Sequence, residues 1–171
     1  MISAYVRGRH LSLYLGYITS RWGLIGYNSC IKETALSKYG KIDESTNYPV
    51  ICLGEILAWI SREKTPEHVV NAGRHVARAY IQKTNEKDFK TALQRVTYAL
   101  SEEFSHAHIS VHIEKEQAKF FVGNINTNPA CCNFWLGFLR ELAETIGLST
   151  QISEIECQSK NGKFCCFLIT W

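Results

Sequence analysis

Apolar side chains recur at helical spacing through the N-terminal half of the chain. Four stretches carry this spacing and are predicted to be helices: residues 8–23, 48–60, 65–84 and 86–101. The first stretch stops at Gly23, and the third begins with a capping threonine, Thr65, followed by Pro66 and Glu67. A proline and a carboxylate suit the first turn of a helix, because the ring fixes φ and the charge faces the positive end of the dipole.

The apolar pattern changes period in the second half of the chain. Successive residues face opposite ways, with Ala107, Ile109, Val111 and Ile113 on one side and His108, Ser110 and His112 on the other. This alternation predicts a half-buried strand that runs into a hairpin. Residues 130–146 return to helical spacing and end at Gly147, while residues 149–157 and 163–171 are predicted strands on either side of a polar turn.

This order of elements indicates the fold class. Helices that come first, followed by strands with one helix between them, predict an α+β fold in which helices pack on a small antiparallel sheet. A chain of 171 residues has the length of one domain, and no linker divides it. We therefore expect a single domain over residues 1–171, with a mainly helical half (1–101) and a second half (102–171) that holds the sheet.

Composition and charge exclude several classes of function. The net charge of +3 is small and the basic residues are scattered, so no nucleic-acid interface is expected. The start lacks a signal-peptide pattern and no apolar run reaches the roughly 18 residues of a membrane span, which predicts a cytoplasmic protein without a membrane span. The sequence has no phosphate-binding loop, nucleophile elbow or His-Glu-x-x-His motif, so it gives no support for an enzyme.

The seven cysteines change this picture, because they are many for a cytoplasmic chain. Their number is odd and two pairs are adjacent in sequence, which makes a poor disulfide framework. In a reducing compartment such residues are buried thiols or metal ligands. Both interpretations stay open at this point.

The last hairpin brings two of these cysteines together with a carboxylate. If it is centred on Asn161, with Gly162 in the left-handed turn position, then Cys157 and Cys165 are opposed, with β-carbons about 4.5–5.5 Å apart. Glu154 lies three residues before Cys157, which in a regular strand puts it on the other face. The strand must therefore bulge or end between them if both are to reach one ion.

A fourth ligand is available at the start of the predicted helix 130–146. Cys131 shares the core stripe with Trp135 and is the preferred candidate, whereas Cys132 would point about 100° away. Three thiolates and a carboxylate favour zinc, with no open position for water, and such a site is structural. The alternative is that these cysteines are small apolar residues of the core.

Residues 128–169 resemble the C-terminal part of the 4-vinyl-reductase domain family. That family's pattern is a cysteine before a Gly-Phe helix, then Glu-x-x-Cys, a glycine and Cys-x-Phe-x-Ile, which here are Cys131, Gly137-Phe138, Glu154-x-x-Cys157, Gly162 and Cys165-x-Phe167-x-Ile169. The intervals are similar to those of the zinc-containing sensor domains of aromatic-catabolism activators. The resemblance implies a structural Zn²⁺ held by four side chains: Cys131, Glu154, Cys157 and Cys165.

The resemblance also implies a fold and a function. The fold would be shared with vesicle-tethering subunits and small-molecule sensors: helices on a short antiparallel sheet, an apolar cavity, and a homodimer. The N-terminal half is also similar to helical regions of haem/NO-binding-associated and related bacterial signalling families. We therefore expect a stand-alone, zinc-stabilised sensor or regulatory domain for a hydrophobic small molecule, acting through a downstream signalling partner or indirectly on transcription. The alternatives are a scaffolding or tethering-type interaction protein and a tetrapyrrole-handling accessory protein.

The expected cavity would lie between the inner face of the sheet and the helices. Its candidate lining residues are Trp59, Tyr80, Phe104, His108, His112, Phe121, Trp135 and Phe138. Aromatic residues at helical spacing are more often simply part of the core than the lining of a cavity. The aromatic-sensor branch recognises its ligand through a His–Trp pair, and no tryptophan stands at the matching strand here, so phenol-type specificity is not implied.

Overall fold

The computed structural model describes residues 4–84, 86–125 and 128–171 and shows the predicted α+β class. In this part of the chain the helices are α1 (Gly8–Glu33), α2 (Ile51–Glu63), α3 (Pro66–Thr84), α4 (Phe89–Ser101) and α5 (Ala130–Thr145). The strands are β1 (Tyr5–Arg7), β2 (Asn47–Pro49), β3 (Phe104–Ser105), β4 (His108–Ile113), β5 (Gln117–Gly123), β6 (Gln151–Glu156) and β7 (Cys165–Thr170).

The strands form two antiparallel sheets. The larger has the order β4-β5-β7-β6, so that the two hairpins predicted from alternation lie side by side. The smaller has the order β2-β1-β3 and was not predicted. Its strands have only two or three residues each, which is too short for alternation to be visible in the sequence.

Several helix boundaries differ from the sequence prediction: the predicted helix 86–101 begins at Phe89, and two larger differences concern α1 and α2. The backbone leaves helical geometry at Gly23 (φ 62°), as predicted, but helical structure resumes and continues to Glu33. The predicted helix 48–60 is wrong at its start, because Tyr48 and Pro49 belong to β2 and the helix begins at Ile51. A residue before proline is biased towards extended backbone, which explains the strand at Tyr48.

The core lies between the inner face of the larger sheet and α5. Phe120 of β5 and Phe167 of β7 are buried against this helix, and the ring of Phe120 lies 5.7 Å from that of Trp135. Trp135 and Phe138 belong to the stripe predicted from helical spacing, and both are at most 1% exposed. Burying each such side chain contributes about 1.5–3 kcal/mol, so this layer supplies much of the stability.

Helices α3 and α5 cross in direct backbone contact. A β-carbon at Gly73 would lie 2.1 Å from the carbonyl oxygen of Phe134, and one at Gly137 would lie 2.0 Å from the carbonyl oxygen of Val70. Only glycine fits at either position, because atoms in proteins do not approach that closely. The crossing therefore fixes α5 against α3 to within a fraction of an ångström.

No helix in the described part of the chain combines the length and the hydropathy that crossing a membrane requires.

The helix crossing can be tested with one added methyl group. We expect Gly137→Ala to lower the free energy of unfolding by about 3 kcal/mol, because the β-carbon would force the two backbones apart. The matched control is Gly16→Ala in α1, where the nearest atom to the added carbon would be His75 Nε2 at 4.0 Å. That change should raise stability by about 0.5–1 kcal/mol, since alanine is the better helix former. Urea denaturation of both variants measures the difference, and equal effects would contradict the crossing.

Candidate metal centre

Three cysteines and one glutamate from separate elements meet beside the last hairpin. Cys132 comes from the first turn of α5, Glu154 from β6, Cys157 from the residue after β6, and Cys165 from the start of β7. One potential ligand atom of each lies within 4.8 Å of those of all the others. Cys157 and Cys165 are buried, and the other two are half-buried.

The spacing of the sulfur atoms matches a tetrahedral zinc site. Cys132 Sγ lies 3.4 Å from Cys157 Sγ and 3.6 Å from Cys165 Sγ, and the last two sulfurs are 4.0 Å apart. A tetrahedron with Zn–S bonds of about 2.3 Å has sulfur–sulfur edges of about 3.8 Å. The three thiols therefore stand close to the corners that zinc requires, with the carboxylate as the fourth donor.

A β-bulge places the carboxylate on the same side as the thiols. Glu154 pairs with Phe167, but Glu156 pairs with Cys166, so one extra residue is inserted between them in β6. The sequence required such an irregularity if Glu154 and Cys157 were to share one ion. The bulge is therefore the local feature on which the donor set depends.

The turn of the last hairpin differs in detail from its prediction. Asn161, and not Gly162, takes the left-handed conformation, with φ at 68°. Gly162 is required for a different reason: a β-carbon there would lie 2.7 Å from the carbonyl oxygen of Cys157. The glycine thus lets the turn fold tightly onto the residue that presents the central thiol.

The structure brings Cys132 into the group in place of Cys131, which corrects the sequence prediction. Cys131 does lie on the core stripe of α5, is 1% exposed and is near Tyr14 of α1. Cys131 therefore faces the other helices. The side chain of the next residue, Cys132, points about 100° away around α5, and this is the direction in which the hairpin lies. The sequence signal that could have found Cys132 is this offset: a ligand shared with a neighbouring hairpin belongs at the edge of the core stripe.

The surroundings of the donors also suit a bound cation. The backbone amide of Gln158 donates a hydrogen bond to Cys165 Sγ at 3.2 Å, and Ser159 Oγ lies 2.9 Å from Cys157 Sγ. Glu154 Oε1 is buried without a hydrogen-bond partner among the described residues. A buried carboxylate oxygen left in this state is unfavourable, and a metal ion would satisfy it. The residues present therefore fit a metal ion.

The charge state of the group depends on such an ion. The close approach of Cys165, together with burial, raises the pKa of the Cys132 thiol above its usual range. The physical cause is that a thiolate is unfavourable beside another sulfur in a low-dielectric site. A divalent cation reverses this effect, because it attracts every donor in its anionic form.

The predicted pocket residues are not brought together as one lining. Tyr80, Phe104, Trp135 and Phe138 are buried in the core between the helices and the sheet. Trp59 lies elsewhere against Trp22, with ring centroids 6.1 Å apart. The remaining three lie on β4 or β5: Phe121 pairs with the ring of Phe164, and His108 and His112 are exposed.

A buried histidine that the sequence did not single out lies in this core. His10 is fully buried, with Nδ1 2.7 Å from the hydroxyl of Tyr80 and Nε2 3.1 Å from the hydroxyl of Tyr14. Burial, with smaller contributions from Arg9 and Lys83, lowers its pKa to about 3. The ring is therefore neutral. The available sequence signal was the i, i+4 spacing of His10 and Tyr14 on α1.

Aromatic rings fill the space around this histidine. Tyr14 stacks on Phe134 at 4.9 Å, Tyr80 lies 6.0 Å from Phe138, and Phe104 lies 4.9 Å from His10. Three clefts of the described residues are open at the surface and lined mainly by polar side chains. The space around His10 is occupied by aromatic rings of the chain itself.

Comparison with known proteins identifies the fold. No protein-family model matches the sequence, and no curated protein matches it. An H-NOX (heme-NO/oxygen binding) protein from S. oneidensis in the Fe(II)NO ligation state matches with a TM-score of 0.74 and 16% identity, over 95% of this chain and 97% of that chain. Unliganded Fe(II) H-NOX from K. algicida matches with a TM-score of 0.70 and 13% identity, over 96% and 95% of the two chains. A structure that concerns modulation of heme redox potential by porphyrin distortion matches with a TM-score of 0.63 and 11% identity. The match covers 96% of this chain and 99% of that chain.

These matches establish an H-NOX-like fold for the chain. The resemblance of residues 128–169 to the 4-vinyl-reductase domain family stays a prediction from the sequence. At such low identities, ligand and activity do not follow from the match.

The described residues do not fit the haem that the H-NOX structures imply. An axial ligand needs an unshared donor atom facing a cavity, but both ring nitrogens of His10 are hydrogen-bonded to tyrosines. The other five histidines are half-buried or exposed. The space between α1, α3 and α5 is filled by Tyr14, Phe134 and Phe138, which leaves no room there for a porphyrin.

Adjacent cysteines provide a test of the metal ligands. We expect Cys132→Ala to lose the bound zinc and Cys131→Ala to retain one ion per chain, because only Cys132 reaches the other donors. Metal analysis of the purified variants measures this difference. Zinc retained by Cys132→Ala and lost by Cys131→Ala would restore the original sequence prediction.

His10 predicts how stability depends on pH. The unfolded chain binds a proton at this residue near pH 6.5, whereas the folded protein does so only near pH 3. The free energy of unfolding should therefore fall on going from pH 7 to pH 5, with a slope of up to about 1.4 kcal/mol per pH unit from this group. His10→Gln should reduce the slope, while His112→Gln, an exposed control, should leave it unchanged. Denaturation at both pH values checks this, and equal slopes for wild type and His10→Gln would contradict it.

Proposed function

We propose that this chain is a zinc-stabilised sensor or regulatory domain with an H-NOX-like fold. The observation that carries the proposal is the group formed by Cys132, Glu154, Cys157 and Cys165, whose donor atoms lie within 4.8 Å of one another. Such a group has a structural role when all four positions of the ion are taken by protein. Zinc would then tie the first turn of α5 to the hairpin of β6 and β7.

A structural zinc here would join the first turn of α5 to the last hairpin of the larger sheet. Cys132 belongs to the helix layer, and the other three donors belong to one edge of the larger sheet. Binding energy at such a site is folding energy, because the unfolded chain does not hold the four donors in place. The hairpin position, and whatever contacts it, would therefore depend on the metal.

The fold supports a sensor more than an enzyme. H-NOX structures in the comparison carry Fe(II) with NO in one case and CO in another. In this chain the corresponding signal would not be a gas on haem, because the interior is filled by aromatic rings. A hydrophobic small molecule would have to displace some of these rings, and the response would pass to a downstream partner or to a second copy of the chain.

A scaffolding or tethering-type interaction protein is the second candidate. The filled interior favours it, because a protein that only presents a surface has no use for a cavity. Three large apolar side chains are also well exposed, namely Leu24 at 71%, Ile25 at 86% and Ile155 at 52%. Leu24 and Ile25 are neighbours in α1, and exposed apolar side chains that lie together are suited to contact with another protein.

Native mass spectrometry together with melting curves tests the proposal. We expect one zinc ion per chain, no haem, and a lower melting temperature after treatment with a chelator, because loss of a structural metal removes several kcal/mol. Equal melting temperatures with and without the chelator would contradict a structural zinc. The mass spectrum also separates the two candidates: a small-molecule adduct supports the sensor, and a ligand-free stable oligomer supports the scaffold.

A further inference from the structure

A second candidate site lies between α1 and α3 and is formed without any cysteine. It is a cleft of about 280 Å³ between α1 and α3, named here the arginine cleft. Its lining residues are Tyr17, Ser20 and Arg21 of α1 and Asn71, Arg74, His75 and Arg78 of α3. All seven side chains can donate a hydrogen bond, and none of the seven is acidic.

Two of the arginines are held in place by carboxylates of α5. Glu141 is 7% exposed and accepts hydrogen bonds from Arg78 Nε at 2.6 Å and from Arg74 Nη1 at 3.1 Å. Glu144 accepts from Arg74 Nη1 at 2.5 Å and from Nη2 at 2.8 Å. Arg78 thus uses only its Nε in the contacts that the structure shows, and both Nη groups remain for another acceptor. A buried carboxylate that orients two guanidinium groups is how a binding site is preorganised.

Three arginines line the cleft, and the two carboxylates Glu141 and Glu144 contact two of them, so the arginines outnumber these carboxylates by one. Arg21 comes from α1, is exposed, and lies over the ring of Tyr17 at 5.8 Å. Burial lowers the pKa of His75, with further contributions from Arg78 and Arg21. The positive charges of Arg21 on α1 and Arg78 on α3 therefore both disfavour protonation of the half-buried His75 ring. An anion bound in the cleft would offset this effect.

We propose that the arginine cleft binds a dianionic phosphate monoester group. Guanidinium groups are planar forks that pair with two phosphate oxygens at once, and every side chain that lines the cleft can donate a hydrogen bond to a fully ionised acceptor. The volume lies near the lower end of the range for small-molecule pockets, so it suits the phosphate with a short organic group. The idea that phosphate binding acts as a signal rests on the proposed sensor function. The binding itself does not require zinc.

Glycerol 3-phosphate is a suitable probe, with glycerol as its uncharged control. We expect calorimetry to show binding of glycerol 3-phosphate and not of glycerol, and NMR to show an upward shift of the His75 pKa on binding. Vesicles containing phosphatidic acid test the same group in a lipid. Binding to the vesicles alone would assign the phosphate monoester to a lipid headgroup, and binding to the soluble ester would assign it to a metabolite.

Arginine variants make the test specific to the cleft. Arg78→Gln and Arg21→Gln should each weaken binding by at least about tenfold, because each removes a charged hydrogen-bond donor. The matched control is Arg95→Gln: Arg95 is 60% exposed against 59% for Arg78, and it pairs with a different carboxylate, Glu86. Equal affinity in Arg78→Gln and Arg95→Gln, or inorganic phosphate binding as tightly as the ester, would overturn the proposal.

The outcome is separable from that of the proposed function. Zinc content is measured on the same samples by mass spectrometry. Zinc-loaded protein that binds neither the ester nor the vesicles overturns this inference alone. Zinc-free, folded protein that binds the ester keeps the inference and removes the zinc-based proposal.

Discussion

The backbone contact between α3 and α5 is the constraint on which the rest of the structure depends. Gly73 and Gly137 let the two helices approach until a β-carbon on either would strike a carbonyl oxygen of the other. With α5 fixed in this way, its first turn lies beside the last hairpin and its C-terminal part contacts the arginines of α3. The same contact therefore positions one residue of the candidate metal centre, Cys132, and the carboxylate that holds Arg74 and Arg78, Glu141.

Three faces of helix α5 have different roles. The core stripe, which includes Phe134 and Phe138, fills the interior with aromatic rings, and that filling separates this chain from a haem protein of the same fold. One edge of the helix presents a thiol to the hairpin, and another presents carboxylates to α3. Fold and ligand are thus independent here: the arrangement of helices and sheets is H-NOX-like, while the side chains inside it leave the haem no space.

Much of the fold follows from periodicity, because helices and strands each impose a spacing on apolar residues. The helix beginning at Pro66 and the alternating strand from His108 were both readable in this way. The short strands β1, β2 and β3 were not, since two or three residues carry no period and their pairing partners are distant in sequence. Asn161, and not Gly162, takes the left-handed conformation in the turn. Gly162 is needed for another reason, because a β-carbon there would lie too close to the carbonyl oxygen of Cys157.

For the candidate site, the sequence alone determined the donor types, the order Glu-x-x-Cys…Cys and the need for a bulge, since these depend only on local geometry along one hairpin. Tertiary structure decided which neighbouring cysteine joins them. Cys131 and Cys132 differ by about 100° around α5, so the choice rests on the rotation of that helix relative to the sheet, which the crossing with α3 sets. Tertiary structure also decided the packing of the interior and the presence of the arginine cleft. Both depend on contacts between side chains of different helices, and these helices are far apart in the sequence.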